Sequence, residues 1–141
     1  RTGKMNLYPH RNAMAFQTAI KVNKSIPAKA VFEFTKAPIW FKSSDNLGGI
    51  SIIDKKYEEN EEGSSLEVLL ENKTLYPYKK LEVAAILYDI FDNVIGFSQT
   101  KIDEIAPKGG REIAPFTWPI YRNGKVVSQE IILNILPKVD I

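Results

Sequence analysis

The chain has 141 residues, of which 44% are hydrophobic and none is cysteine. It carries 19 basic and 17 acidic residues, and the signs alternate along the sequence to leave a formal net charge of +2. A chain of this length buries roughly two-thirds of its unfolded surface, which is enough for one core without covalent staples. The composition excludes disulfides, thiolate catalysis and cysteine-ligated zinc, and the mixed charge predicts no nucleic-acid partner.

The N-terminal part resembles a later part of the same chain at a separation of 100 residues. In both places a proline turn precedes an apolar strand, a polar loop and a second strand; the identical residues are Phe16, Ile20 and Asn23, repeated as Phe116, Ile120 and Asn123. A repeat of about 100 residues suits a sandwich domain and is too long for a solenoid unit. Residues 1–36 are therefore predicted to be the closing hairpin of a preceding repeat unit, with strands at 16–20 and 31–34.

This hairpin cannot be stable by itself, since an isolated two-stranded ribbon is marginal in water. Its residues Phe16, Ile20, Val31, Phe32 and Phe34 are too apolar for a solvated tail. We expect the hairpin to dock on the rest of the chain or to pair with a neighbouring copy. Self-association through the hairpin, or a protein partner, is the predicted interaction.

A break in the alternating pattern over residues 37–49 indicates a linker, because Pro, Ser, Asn and Gly cluster there. Trp40 and Phe41 are unusual in a free linker. They either pack between the two parts of the chain or form an exposed binding patch.

Residues 50–141 show apolar positions with a period of two, which predicts β-strands. Both faces of the stretch 81–88 are largely apolar, so it is predicted to be a central strand covered on each side. The stretch 66–71 alternates apolar and acidic residues and is expected to be half exposed. A final strand is predicted at 131–135.

Turn residues separate these strands. Asp92 and Asn93 indicate a tight hairpin, and residues 107–110 form a turn with two glycines. Pro115 and Pro119 predict an edge strand or a bulge. Residues 103–105 are the one helical candidate, of a single turn.

These elements predict an all-β protein, an immunoglobulin-like antiparallel β-sandwich over residues 50–141 with an additional N-terminal β-hairpin. Nine residues are predicted to face its core: Val68, Leu70, Val83, Ala85, Leu87, Phe97, Phe116, Trp118 and Leu133.

The sequence Leu87-Tyr88-Asp89, at the end of an apolar strand and followed by a hairpin and Gly96-Phe97, resembles the FxLYD family of immunoglobulin-like domains. Residues 102–107, leading to 116–119, resemble the stretch that follows this motif in related domains of bacterial membrane proteins. The resemblance covers about residues 50–136, and Ala85 stands where the family motif has Phe. It implies a non-enzymatic module at the cell surface or in the periplasm, tethered to a membrane by a segment outside this sequence.

Tyr88 and Asp89 also have a structural interpretation. A tyrosine at a strand end buries its ring at the core's rim while its hydroxyl finds a backbone partner. The Asp89 carboxylate is expected to hold the following turn.

Candidates for catalysis or metal binding are few. His10 is the sole histidine and lies in a predicted terminal turn. Glu58, Glu59, Glu61 and Glu62 crowd one turn, which is interpreted as a solvated loop, with a weak cation site as the alternative. We therefore predict no enzyme, no cofactor and no metal. Asn72-Lys73-Thr74 matches the glycosylation sequon, a pattern that also arises by chance.

Exposed aromatic residues would be the natural contact points. The predicted function is a non-catalytic extracytoplasmic structural or interaction module of a larger membrane-anchored protein, and the candidate surface comprises Trp40, Phe41, Tyr76 and Tyr78. The alternative is a carbohydrate-binding module that uses Tyr76, Tyr78 and Trp118. Membrane contact is expected only through a segment outside this sequence, because no apolar run approaches the ~20 residues of a bilayer span.

Overall fold

The computed structural model describes residues 29, 31, 48–120 and 124–135. These residues form six β-strands: β1 (Ile50–Asn60), β2 (Gly63–Asn72), β3 (Tyr78–Tyr88), β4 (Val94–Ile105), β5 (Gly110–Pro119) and β6 (Ser128–Ile135). Among them no helix is long and apolar enough to cross a lipid bilayer. The predicted hairpin over 1–36 and linker over 37–49 lie outside the described residues, apart from Lys29, Val31, Gly48 and Gly49.

The strands form two three-stranded antiparallel sheets. One, here called sheet A, has the order β1-β2-β5, and the other, sheet B, has the order β4-β3-β6. The chain crosses between sheets after β2, β4 and β5. The all-β prediction is confirmed, and β5 is an edge strand of the described sheet, as its two prolines predicted.

The core lies between the two sheets. Alternate residues of β2, β3 and β5 supply most of it: Leu66, Val68, Leu70, Leu81, Val83, Ala85, Leu87, Ala114, Phe116 and Trp118. Ile102 and Ile105 of β4 and Val126 complete the buried cluster. At the side where β1 approaches β6, Lys55 Nζ donates a hydrogen bond to the backbone oxygen of Gln129 at 3.3 Å.

Seven of the nine predicted core residues are buried, and Leu133 is half-buried against the core. Phe97 is the exception. A register shift between Leu87 and Tyr88 lets Ile95 pack against the core, while Phe97 pairs with Ile86 on the other face of sheet B. The expected orientation of Phe97 was wrong because a bulge reverses the alternation of faces, and no turn residue marks it.

Two turn predictions are confirmed and the helical one is wrong. Asp92 has a φ of 58° in the β3–β4 turn, and Lys108 and Gly109 have φ values of 58° and 89° in the β4–β5 turn. Residues 103–105, predicted as a helical turn, belong to the end of β4. They pair with the beginning of β3, and this long-range pairing overrides the local helical preference.

Candidate functional site

The loop between β2 and β3 presents Tyr76 to solvent, with 76% of the residue exposed. Leu75 beside it is also exposed, whereas Tyr78 begins β3 and is half-buried. An exposed aromatic ring beside an exposed leucine forms a small apolar tip at this end of the sandwich. Tyr76 and Tyr78 therefore lie close in sequence but differ in how much of the ring a partner could reach.

A buried asparagine fixes the shape of this loop. Asn72 is fully buried at the end of β2, and its Nδ2 donates to the carbonyl oxygens of Tyr76 at 2.8 Å and Ile105 at 3.1 Å. Its Oδ1 accepts from the backbone N–H of Thr74 at 2.9 Å and lies 2.7 Å from the Thr74 hydroxyl. Both amide hydrogens of Asn72 are thus donated, and its Oδ1 accepts from the Thr74 backbone N–H.

The backbone around Asn72 ties the same loop to its neighbours. The Gly109 N–H donates to the Asn72 carbonyl at 2.7 Å, and the Lys108 N–H donates to the Thr74 carbonyl at 2.8 Å. The Lys73 N–H donates to the carbonyl of Gly49. The β2–β3 loop, the β4–β5 turn and the residue before β1 therefore meet beside Asn72. The Tyr76 ring projects from a loop whose backbone is held by these hydrogen bonds.

This geometry shows whether Asn72 of the Asn72-Lys73-Thr74 sequon is available for glycosylation in the folded protein. Glycosylation needs a free Asn side-chain nitrogen, yet Asn72 Nδ2 is buried and its hydrogens are donated to two carbonyl groups. The residues that form the sequon act together to build the loop. In the folded protein Asn72 is a structural residue and not a glycan acceptor.

Trp118 does not join Tyr76. Its indole ring is buried and stacks on Phe116 with ring centroids 6.0 Å apart. Trp118 pairs with Ser64, whereas the end of β2 near Tyr76 is Asn72, eight residues further along the strand. At about 3.3 Å per residue the separation is roughly 25 Å. Trp40 and Phe41, the other aromatic candidates, lie outside the described residues.

The opposite end of the sandwich carries a second apolar tip that the sequence analysis did not single out. Phe91 is 76% exposed in the β3–β4 turn, and its neighbour Ile90 is exposed as well. Val94 and Val127 add exposed apolar area. Two consecutive large apolar residues inside a turn are the signal that could have identified this tip.

Asp89 holds this turn together, as predicted. Its Oδ1 accepts from the N–H groups of Phe91 at 2.8 Å and Asn93 at 2.9 Å, and its Oδ2 accepts from Asn93 Nδ2 at 3.0 Å. The hydrogen bond from the Asn93 side chain, with those from the two backbone N–H groups, holds the pKa of Asp89 below its usual value. The carboxylate is thus committed to the turn.

Tyr88 has a different partner from the one expected. Its hydroxyl donates to Glu130 Oε2 on β6 at 2.6 Å, and not to a backbone oxygen. This hydrogen bond stabilises the protonated phenol and, with desolvation, raises the pKa of Tyr88 to about 12. Sequence could not predict the pair, because Tyr88 and Glu130 are 42 residues apart and meet only through the register of β3 and β6.

The acidic turn between β1 and β2 is organised by a neutral side chain. Asn60 Oδ1 accepts from the N–H groups of Glu62 at 2.8 Å and Gly63 at 3.1 Å. Across the described part of the chain, no group of three or more His, Cys, Asp or Glu residues is arranged to hold a metal ion. His10 lies outside the described residues.

Comparison with models of protein families, with curated proteins and with solved structures finds no match for this chain.

Proposed function

We propose that this chain is a non-catalytic, extracytoplasmic interaction module of a larger membrane-anchored protein, and that Tyr76 is its principal contact residue. The observation that carries the proposal is the exposed Tyr76 ring on a loop ordered by the buried Asn72. Binding through such a ring costs little conformational entropy, because the loop backbone is fixed before the partner arrives. Tyrosine also combines a large apolar face with a polar hydroxyl, which suits it to protein interfaces.

An immunoglobulin-like sandwich is the proposed scaffold. In the constant-type domain the first, second, fifth and fourth strands form one sheet, and the third and sixth strands are neighbours in the other. The neighbours β1-β2-β5 and β3-β6 support this assignment. Strand β4 lies beside β3, in the sheet that receives the additional strands of variable-type domains. The resemblance of Leu87-Tyr88-Asp89 to the FxLYD motif agrees with it, and the proposed location outside the cytoplasm rests on that resemblance alone.

A carbohydrate-binding module is the second candidate function. The exposed Tyr76 ring favours it, since an aromatic face can stack on a sugar ring. The three aromatic residues that the sequence suggested for sugar binding do not lie together, because Trp118 is buried at the far end of the sandwich. Sugar binding would therefore rest on Tyr76 with help from the half-buried Tyr78.

The test compares the intact chain with Tyr76→Ala and with the matched control Phe91→Ala, which removes an equally exposed ring from the opposite end. Each immobilised protein is exposed to the solubilised cell-envelope fraction of the producing cells and, separately, to an oligosaccharide array. We expect an envelope protein to be retained by the intact chain and Phe91→Ala and to be reduced about tenfold or more by Tyr76→Ala, as for an interface hot spot.

Two results would contradict the interaction proposal. Retention that Tyr76→Ala leaves unchanged would exclude this loop as the contact, and cell fractionation that finds the intact protein only in the cytoplasm would exclude the proposed location. Binding to the array that Tyr76→Ala abolishes would favour the carbohydrate-binding alternative.

A further inference from the structure

The two edges of sheet A differ in how well they could accept a further strand. Strands β1 and β5 form these edges, and among the described residues each pairs only with β2. On β5, Pro115 stands opposite Glu67 of β2, and Pro119 has the same orientation along the strand. Proline has no N–H and therefore occupies positions whose backbone points away from the neighbouring strand. The β5 edge thus lacks donors that an added strand would need, whereas β1 contains no proline.

The same register shows which backbone groups of β1 face outward. Because Pro115 turns its backbone away from β2, the opposite residue Glu67 turns its own N–H and C=O toward Lys56 of β1. The alternation along β1 then directs away from β2 the backbone groups of three residues: Lys55, Tyr57 and Glu59. The Lys55 N–H agrees, because it donates to Asp54 Oδ1 at 2.8 Å.

The regular part of the β1 edge is centred on Tyr57. On one side a register shift between Ile52 and Asp54 interrupts the pairing of β1, and on the other side the strand ends at Asn60. A bulge bends its strand and disrupts the ladder, so an added strand would pair with residues 54–60. Tyr57 is the middle residue of this stretch. Two copies related by a two-fold axis would therefore place Tyr57 opposite itself.

The charges around Tyr57 are complementary under this pairing. Two lysines precede Tyr57 and two glutamates follow it, and all four residues are exposed. An antiparallel pair centred on Tyr57 sets Lys56 of one copy opposite Glu58 of the other. On the other face of the sheet, Lys55 stands opposite Glu59. Opposite charges directly across a strand pair stabilise the pair, and like charges destabilise it.

Neighbouring registers lack this complementarity. A shift by two residues in one direction sets Lys56 opposite itself, and the same shift in the other direction sets Glu58 opposite itself. Within one chain, Lys56 Nζ lies 2.7 Å from Glu58 Oε1. In the centred register these charges and their copies alternate in sign both along each strand and between the strands. Charge therefore selects the same register as the bulge and the strand end.

We propose that the outer edge of β1 pairs antiparallel with the same edge of a second copy of this chain, with Tyr57 at the two-fold axis. Sheet A then continues through the dimer in the order β5-β2-β1-β1-β2-β5. The contact is isologous, because each copy offers the same backbone groups and the same charges. This surface is distinct from the Tyr76 loop, and the inference goes beyond the proposed function.

Charge reversal tests the pairing in the intact chain. Lys56→Glu and Glu58→Lys each set like charges opposite one another, and each should raise the dissociation constant of the dimer about tenfold or more. Sedimentation velocity over about 5–500 μM measures this constant. Glu112→Lys is the matched control, since it reverses an exposed charge on the edge strand β5, and it should leave the constant unchanged.

A mixture of the two variants separates pairing between copies from the ion pair within one chain. Both Lys56→Glu and Glu58→Lys lose the ion pair within the chain. In a dimer of one variant with the other, however, every charge at these positions faces an opposite charge. An equimolar mixture should therefore dimerise about as tightly as the unchanged chain. Circular dichroism and denaturation of each variant confirm that it is folded.

Amide hydrogen exchange followed by NMR locates the contact. The N–H groups of Tyr57 and Glu59 should exchange more slowly as the protein concentration rises, because the dimer protects them. Thr117 is the control on the opposite edge of sheet A, where it has the backbone orientation of Pro115. Its exchange should not depend on concentration.

A chain that stays monomeric up to about 500 μM would overturn the proposal. A dimer that neither charge reversal weakens would also overturn it, as would weakened variants whose mixture does not recover. Concentration-dependent protection that is absent at Tyr57 and Glu59 would assign the dimer to another surface and contradict the pairing of β1 edges.

Discussion

The strands β2 and β3 occupy equivalent central positions in the two sheets but differ in their outward rows. On β2 that row is Glu67, Leu69 and Glu71, and none of the three is buried. On β3 the corresponding row includes the buried Ala84 and Ile86. Their inward rows are alike and fully buried.

The difference extends across each sheet. Beside Glu71, Arg111 on β5 places its Nη2 3.0 Å from Glu71 Oε1, so the outward face of sheet A carries an ion pair between the exposed Arg111 and the half-buried Glu71. On sheet B, Ile86 has Phe97 on one side and Glu130 on the other. A central strand therefore does not determine how its sheet meets solvent; the outward residues do. The outward row of β2 is partly exposed to solvent, whereas Ala84 and Ile86 in the outward row of β3 are buried.

Truncation of a leucine in the inward row should destabilise the protein equally in β2 and in β3. Equal losses would confirm that the two strands differ only in their outward rows. Leu70→Ala and Leu87→Ala each remove a fully buried leucine. Each should lower the free energy of unfolding by about 2–5 kcal/mol, through lost burial and the cavity left behind. Urea denaturation measures both. A midpoint unchanged by either substitution would show that the corresponding row does not face the core.

Substitution of Asn72, at the junction between β2 and β3, should lower the free energy of unfolding nearly as much. Asn72→Ala removes the side chain that bonds the Tyr76 and Ile105 carbonyls and the Thr74 N–H, and leaves these groups without their partner. We expect a loss of about 3 kcal/mol. Asn60→Ala is the matched control, because Asn60 caps an exposed turn, and it should cost about 1 kcal/mol. Equal losses in the two variants would contradict the role assigned to Asn72.

The smallest effect is expected at the rim of sheet B. Tyr88→Phe removes the hydrogen bond to the exposed Glu130 and should cost less than about 1 kcal/mol near neutral pH. Because folding raises the pKa of Tyr88 from 10.0 to about 12, the folded protein keeps a proton that the unfolded chain loses between these values. The stabilisation is therefore present below pH 10 and disappears as the pH rises toward 12.

Ultraviolet titration of the phenolate checks this shift. The difference between the titrations of the intact chain and Tyr88→Phe should contain one ionisation near pH 12. If the ionisation that Tyr88→Phe lacks lies near pH 10 instead, Glu130 does not hold the Tyr88 hydroxyl in solution.

Local patterns predicted much of this architecture. The acidic residues at 67 and 71 indicated a half-exposed strand, and the apolar residues on both sides of 81–88 indicated a strand covered twice; both predictions are confirmed. The role of Asp89 in the β3–β4 turn could be predicted because its hydrogen-bond donors, Phe91 and Asn93, lie within four residues. These features depend on neighbours in sequence, which a single sequence displays directly.

Features that depend on register could not be predicted. Phe97 faces away from the core because of a bulge, and Tyr88 meets Glu130 across 42 residues. The role of Asn72 was hidden as well, since its partners come from the β2–β3 loop and from the end of β4. At Tyr76 the sequence indicated an aromatic turn, but only the folded loop separates it from the distant Trp118.

The most direct test of the account is the pair Ile86→Ala and Leu69→Ala, which removes an outward aliphatic side chain from each central strand. Ile86→Ala should lower the free energy of unfolding by about 2–5 kcal/mol, as for a buried residue. Leu69→Ala should lower it by about 1 kcal/mol, because Leu69 is partly exposed on a solvated face. Denaturant titrations of both variants give the comparison. Losses of equal size would contradict the claim that β3, unlike β2, is buried on both faces.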